Sequence, residues 1–148
     1  YRYMAREMRE NGVLDYFEPY ANKEKDDFES IAASDIIKFS GENVQDVSFV
    51  KDYRDKLFIQ TLGSEGLRFN LRGEGWVNLS PVENDNVADW EGAGDWTTSA
   101  FLNALADADA LSIKRLTAEV VKEALEKAQI VASKSVSFIG SKGMIGKY

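Results

Sequence analysis

Two short runs constrain this chain more than any other feature: Asp35–Phe39, DIIKF, and Lys56–Leu62, KLFIQTL. Neither alternates apolar with polar residues, so neither is suited to lie with one face in water. A strand of this kind is covered on both faces, as in parallel sheets layered by helices. The flanking segments fit that picture. Val13–Phe17 reads as a shorter strand ending at Glu18-Pro19, Lys23–Ala33 as a charged helix, and Val44–Tyr53 as a helix between the two apolar runs. At the start, Tyr1–Asn11 carries Met4 and Met8 at helical spacing, and Gly12 follows as a C-cap signal.

Downstream the pattern changes. Gly63–Gly66 (GSEG) is a turn, and LRFNLRGEGWVNLS alternates around Gly-Glu-Gly as an antiparallel hairpin does. A helix is expected from about Ala93 to Ala106. A last one starts at the cap Thr117-Ala-Glu-Val and runs to about Ser135. The tail SFIGSKGMIGKY is punctuated by glycine. Alternating strands and helices with one late hairpin argue for an α/β sheet layered by helices, in one domain or part of one. No repeat, linker or low-complexity segment interrupts it.

Composition removes several chemistries. The 148 residues contain no cysteine, so disulfides and thiolate metal sites are out, and no histidine, which excludes Ser-His and Cys-His nucleophiles and most zinc sites. Acid–base work falls to Asp, Glu, Lys or Tyr. A net charge of −7 without a basic cluster argues against nucleic acid and anionic membrane surfaces as partners. No apolar stretch is long enough to span a bilayer, and YRYMAREMREN lacks the apolar core of a signal peptide. The cysteine-free composition is compatible with a reducing compartment. The opening residues read as mid-helix with no cap ahead of them, so the expectation is a chain cut from something longer.

The stretch Asp89–Asp95, DWEGAGD, raises a chemical question. A glycine-flanked helix start collects unpaired backbone N–H groups and the positive end of the helix dipole, which suits an anion. Three carboxylates beside it would repel that anion, unless one handles a proton and others hold a cation. A structural reading competes: an ordinary glycine-rich loop with acidic caps has the same composition.

Gly92–Leu102, GAGDWTTSAFL, resembles the second signature of the ribokinase-like (PfkB) carbohydrate kinases. Asp89, Gly92, Ala93, Gly94 and Asp95 match its Asp-Thr-x-Gly-Ala-Gly-Asp pattern, as do Ser99, Ala100, Phe101 and Leu102 after it. Trp90 stands where Thr is usual and Glu91 at the variable place. Other landmarks follow the family's order. Thr61-Leu-Gly-Ser-Glu-Gly66 resembles its Thr-Leu-Gly-x-x-Gly turn, Lys38-Phe-Ser40 the strand end before its Asn/Ser-x-x-Glu motif, and Ala124–Ala128 its last nucleotide-side helix. The similarity runs over essentially the whole chain but corresponds to the C-terminal half of such a kinase.

The resemblance implies an α/β fold, the C-terminal part of a ribokinase-like three-layer α/β/α sandwich with a mostly parallel sheet and a late antiparallel hairpin. Residues 1–148 would form its nucleotide-binding and catalytic part, with the N-terminal sugar-binding and lid part absent. The implied activity is ATP-dependent phosphorylation of a sugar hydroxyl in the cytoplasm. Asp95 would be the general base, and the amides of Gly92, Ala93 and Gly94 the anion hole. Thr61, Gly63, Gly66 and Gln129 fall on the nucleotide side. Asp89 and Glu91 would face a monovalent cation, potassium in the family, and Ser40, Glu42 and Asn43 the magnesium ion. Ser40 after Lys38-Phe39 resembles fructokinase-like members.

Departures keep alternatives open. Asn43 stands where the magnesium motif expects Glu, with Glu42 one residue away, and Trp90 is bulky for a cation loop. A catalytically silent nucleotide- or protein-binding relative is one rival, a nucleoside kinase of the same superfamily another. Asp95 could be a helix cap, the turn at Thr61 a plain hairpin turn, and Gln129 a surface or packing residue. Trp76, Trp90 and Trp96 are more often core or lid-facing aromatics than substrate stackers. If earlier strands are absent, Ile36, Ile37, Leu57 and Ile59 would present an apolar patch or open edge. Self-association or a complementing N-terminal part is then expected.

Overall fold

The computed structural model describes residues 2–19 and 25–147. The helix positions expected at Tyr1, Lys23 and Glu24 lie outside the described residues. The chain divides into two compact units, one built by the first 79 residues together with Leu111–Leu116, the other by Ser80–Ala110 and the chain from Thr117 onward.

The first unit is a five-stranded mixed sheet in sequential order. Strands β1 (Tyr16–Phe17), β2 (Ile36–Ser40) and β3 (Leu57–Thr61) are parallel, and β4 (Leu67–Leu71) and β5 (Val77–Leu79) return antiparallel. The two apolar runs are thus β2 and β3, joined in register from Ile36↔Leu57 to Ser40↔Thr61. Helices α1 (Arg2–Glu10) and α2 (Lys25–Ala33) belong to the same unit. The strand expected over Val13–Phe17 forms only at its last two residues.

One face of the sheet carries the core of Ile31, Ile37, Phe39, Val44, Phe49, Val50 and Phe58. Phe49 is its hub, edge-on to Phe28 and Phe58 with centroids at 6.2 and 5.8 Å and tilted against Phe39 at 6.0 Å. Such pairs add about 0.5–1.5 kcal/mol each beyond the area they bury. On the strands, Ile36, Ile37, Leu57 and Ile59 are all fully buried. The apolar patch expected on them is therefore not present: both sheet faces are covered, and the sheet's edges are strands of two and three residues.

The helix expected over Val44–Tyr53 is also corrected. Only Ser48–Asp52 coils, as a 3-10 turn. The Asp46 carboxylate accepts from the Ser48 amide at 2.9 Å and starts the turn late, while the Val44 carbonyl accepts from Gln60 Nε2 at 2.9 Å. Both contacts hold 44–47 in a non-helical path. Lys56, almost fully buried, donates its ammonium to the carbonyls of Ala32 and Ser34 at 2.9 and 2.7 Å. It caps the end of α2, where a helix concentrates unpaired carbonyls and partial negative charge.

The second unit packs α3 (Ala93–Asp107) against α4 (Ala118–Ser135). Thr97, Phe101, Ala104 and Leu105 form the buried stripe of α3, and Val121, Ala124, Leu125 and Ala128 that of α4, at the helical spacing of three and four. The alanines let the two helices approach closely. Thr117 caps α4 as expected, its hydroxyl accepting from the Val120 amide at 3.2 Å. No helix among the described residues is long and apolar enough to cross a membrane.

Candidate active site

The start of α3 is fixed by its neighbours in the chain's tail. Ala88 and Asp89 donate their amides to the Val136 carbonyl at 2.7 and 3.1 Å. Asp89 Oδ1 accepts from the Glu91 amide at 3.0 Å, and Oδ2 from the Gly140 amide at 2.8 Å. These amides hold the Asp89 carboxyl below the usual carboxylate range: the Glu91 hydrogen bond contributes most, then Gly140. The Trp96 indole donates to the Ser141 carbonyl at 2.9 Å. Gly92, with φ of +81°, lies so close to Ser141 that a Cβ would stand 2.5 Å from its Cβ and 2.6 Å from its Cα. Only glycine meets both the left-handed backbone and that close approach.

Gly92 is the N-cap of α3 and supplies no side chain to its open amides. The Trp96 amide closes the first helical bond on the Gly92 carbonyl at 2.9 Å, and the Ala93 amide leans to the Trp90 carbonyl at 3.3 Å. Among the described residues no partner takes the amides of Gly92, Gly94 or Asp95. Thr97 and Thr98 donate their hydroxyls back to the Ala93 and Gly94 carbonyls at 2.8 and 3.1 Å, leaving the amide end clear. Asp95 sits in the first turn, exposed, with no side-chain hydrogen bond or ion pair among the described residues. The arrangement is a set of N–H donors at the positive end of a 15-residue helix, next to an uncommitted carboxylate. Of the three amides expected to act together, those of Gly92 and Gly94 are open, as is that of Asp95, while that of Ala93 leans to the Trp90 carbonyl.

Gln129, on α4, is nearly buried and donates Nε2 to the Ser80 carbonyl at 3.1 Å, tying the 80s segment to the helix. Asn84 does the same further along, donating Nδ2 to the Ser133 carbonyl and to Ser137 Oγ. Glu91 is exposed.

The remaining candidates lie in the first unit, at the C-terminal ends of β2 and β3. Ser40 Oγ accepts from the Glu42 amide at 3.2 Å, and the Ser40 carbonyl from the amides of Asn43 and Val44. The Gly41 amide donates to the Thr61 carbonyl at 2.8 Å, which brings the Ser40–Asn43 loop beside Thr61. The side chains of Glu42 and Asn43 are exposed. After Thr61 the chain closes a 3-10 turn over Gly63–Glu65, with the Leu62 amide on the Gly66 carbonyl at 2.8 Å and positive φ at Gly63 and Gly66. Among the described residues no three carboxylates converge on one point.

The sequence reading missed Gly140, Ser141 and the Trp96 indole, which fix the glycine loop. The one signal available was the glycine punctuation of the tail. It did not disclose a partner some 45 to 51 residues away.

Comparison with known proteins shows the family and the fold. The family model of the pfkB family carbohydrate kinases matches residues 24–145. No curated protein matches the chain by sequence. Among solved structures, aminoimidazole riboside kinase from Salmonella enterica, complexed with aminoimidazole riboside and an ATP analogue, superposes with a TM-score of 0.76 at 23% identity, over 94% of this chain and 51% of that one. A double mutant of fructokinase from Vibrio cholerae with fructose, ADP and potassium ion bound gives 0.73 at 18% identity, over 93% and 48%. Ribokinase from Arabidopsis thaliana with ribose and ATP gives 0.69 at 20% identity, over 94% and 46%. The chain belongs to the PfkB family of carbohydrate kinases and has the ribokinase-like α/β fold. It spans about half the length of the solved kinases it matches.

Proposed function

We propose that residues 1–148 are the nucleotide-binding and catalytic part of one ribokinase-like domain, which transfers the γ-phosphoryl group of ATP to a sugar hydroxyl. The observation that carries this reading is the start of α3, where unpartnered amides and the exposed, uncommitted Asp95 carboxylate share one helical turn. Phosphoryl transfer asks mainly for positioning and for stabilisation of charge spread over the phosphoryl oxygens. The amides of Gly92, Gly94 and Asp95 supply that stabilisation, and the Asp95 carboxylate accepts the proton of the attacking hydroxyl. Trp96, tied to Ser141, and Asp89, tied to Gly140, keep the turn rigid while this happens.

Thr61, Gly63 and Gly66 form the nucleotide-side turn. Gln129 donates to Ser80, so its carbonyl oxygen is the atom left for a nucleotide. Ser40, Glu42 and Asn43 offer oxygen donors on an exposed loop. One carboxylate among them fits magnesium, which keeps waters and phosphate oxygens as its other ligands. Asp89 fits a monovalent cation such as potassium through the lone pairs its two backbone bonds leave over, with Glu91 beside it in sequence. When bound, these ions would offset the negative charge of the phosphates. A fructose-like sugar is the preferred acceptor, the compartment cytoplasmic, and the partner a complementing N-terminal part or, in a homo-oligomer, a second copy of the chain.

Asp95→Asn tests the assignment in the protein carrying both this part and a sugar-binding part. Turnover with ATP and fructose should fall about 10²–10⁴-fold, the range of a lost general base, with KM for ATP nearly unchanged. Unchanged turnover would defeat it. A panel adding ribose and nucleosides decides the acceptor class. Asn43, where the family carries Glu, favours one second reading, a catalytically silent nucleotide-binding relative. Calorimetry with ATP, with and without magnesium, separates the two, because the silent form binds without regard to the metal.

A further inference from the structure

The geometry points to a second ligand site in the first unit: a cavity of about 260 Å³ between the Ser48–Asp52 turn and the β4–β5 hairpin, built to take a small organic anion with an apolar body. It does not depend on the kinase reading. The cavity is lined by Val47, Val50, Lys51, Arg54, Asn70 and Trp76, among others. Its place in the fold is set by register. Asn70 pairs with Phe58, near the start of β3, whereas Ser40 and Thr61 lie at the far ends of β2 and β3. Three residues of strand, about 10 Å, separate the two levels.

Polar residues on the core face of the sheet supply the first argument. Gln60, Arg68 and Asn70 share that face with Ile37, Phe39 and Phe58. Gln60 and Arg68 satisfy one another, with Arg68 Nε on Gln60 Oε1 at 2.8 Å and Gln60 Nε2 on the Val44 carbonyl. Asn70, only 6% exposed, is different. Its Oδ1 accepts from the Gly73 amide at 2.9 Å, but its Nδ2 donates to no described residue. No buried side-chain nitrogen or oxygen among the described residues lacks a partner, so this Nδ2 is one that solvent reaches, and in the wall of a cavity it is a donor open to an acceptor that enters from outside.

The second argument is charge. Lys51 makes no ion pair among the described residues, and Arg54 commits only Nε, to the Lys51 carbonyl at 3.4 Å. Both residues line the cavity, so its charged lining side chains are both cations, and the Lys51 charge also acts on the Asp46 carboxylate nearby. In a chain of net charge −7, two cations and an amide donor in one cavity lining favour an anion. Val47, Val50 and the Trp76 ring form the apolar remainder of the wall. Arg68 stacks on that ring at 4.5 Å and holds it in place before any ligand arrives. The volume accommodates a carboxylate or phosphate group carried on a single ring.

Titration of the 148-residue chain with benzoate, phenyl phosphate and inorganic phosphate, followed by nitrogen-15 NMR, tests this. The Asn70 side-chain amide and the Trp76 indole signals should shift saturably with the two aromatic anions. Inorganic phosphate should bind at least about tenfold more weakly, since it lacks the ring. Lys51→Glu with Arg54→Glu, both exposed positions, should weaken binding about tenfold or more with the rest of the spectrum unchanged. Asn70→Ser should weaken it as well. No saturable shift at these two signals, or equal affinity in the double charge variant, would overturn the assignment. Preference for benzoate or for phenyl phosphate identifies the head group.

Discussion

Replacing Gly92 by alanine probes the device that positions the candidate site, and its effect can be worked out from the local geometry. Two penalties combine. The left-handed φ of +81° costs a side-chain-bearing residue about 1 kcal/mol relative to glycine. A Cβ at 2.5 and 2.6 Å from Ser141 is an overlap with backbone as well as side chain, so the tail must be displaced or the helix start must shift, at about 1–3 kcal/mol. The two together come to about 3 kcal/mol, and displacing the tail also breaks the Trp96–Ser141 bond. Gly63→Ala is the matched control: φ is +59° but nothing lies within 4 Å of the added carbon, so only the first penalty, about 1 kcal/mol, applies. Urea unfolding of both variants at unchanged m-value reads the difference, and faster exchange of the Gly140 amide shows that the tail has let go. Combining Ser141→Gly with Gly92→Ala should rescue only in part, because the overlap with the backbone at position 141 remains. Equal stability of the Gly92→Ala and Gly63→Ala variants would refute the reasoning.

Lys56→Met keeps the apolar stem but strips the cap from α2, leaving the Ala32 and Ser34 carbonyls without their ammonium donor; a loss of about 2 kcal/mol in urea unfolding is expected. Phe49→Ala removes the hub of the aromatic cluster and should cost about 3–5 kcal/mol, read as a lower unfolding midpoint. Asp89 has a lowered folded-state pKa, so its contribution to stability is present above the unfolded value, near pH 4, and is lost as pH falls through the folded one. Asp89→Asn should therefore flatten the stability profile below about pH 5 and leave it parallel to wild type above.

How much of this was legible in the sequence depends on the range of the forces involved. The runs at Ile36 and Leu57 disclosed buried parallel strands because covering on both faces removes alternation from the sequence itself. Thr117 disclosed the start of α4 because a cap is an interaction across three residues. The segment over Val44–Tyr53 was misread because Gln60, on another strand, takes the Val44 carbonyl and Asp46 delays the turn to Ser48. In the site, the glycine loop and Asp95 were visible as a motif. What holds them, Gly140 and Ser141, was not, because those interactions join residues far apart in sequence. Likewise the apolar strands suggested an exposed patch, since burial of Ile36 and Ile59 on the second sheet face is a tertiary fact.

The central claim, that the amides opening α3 grip phosphate, is tested most directly by titrating the nitrogen-15-labelled chain with ATP and, separately, with adenosine. The account predicts saturable shifts of the Gly92, Gly94 and Asp95 amide signals with ATP, and none there with adenosine. ATP binding that leaves those three signals unmoved would contradict it.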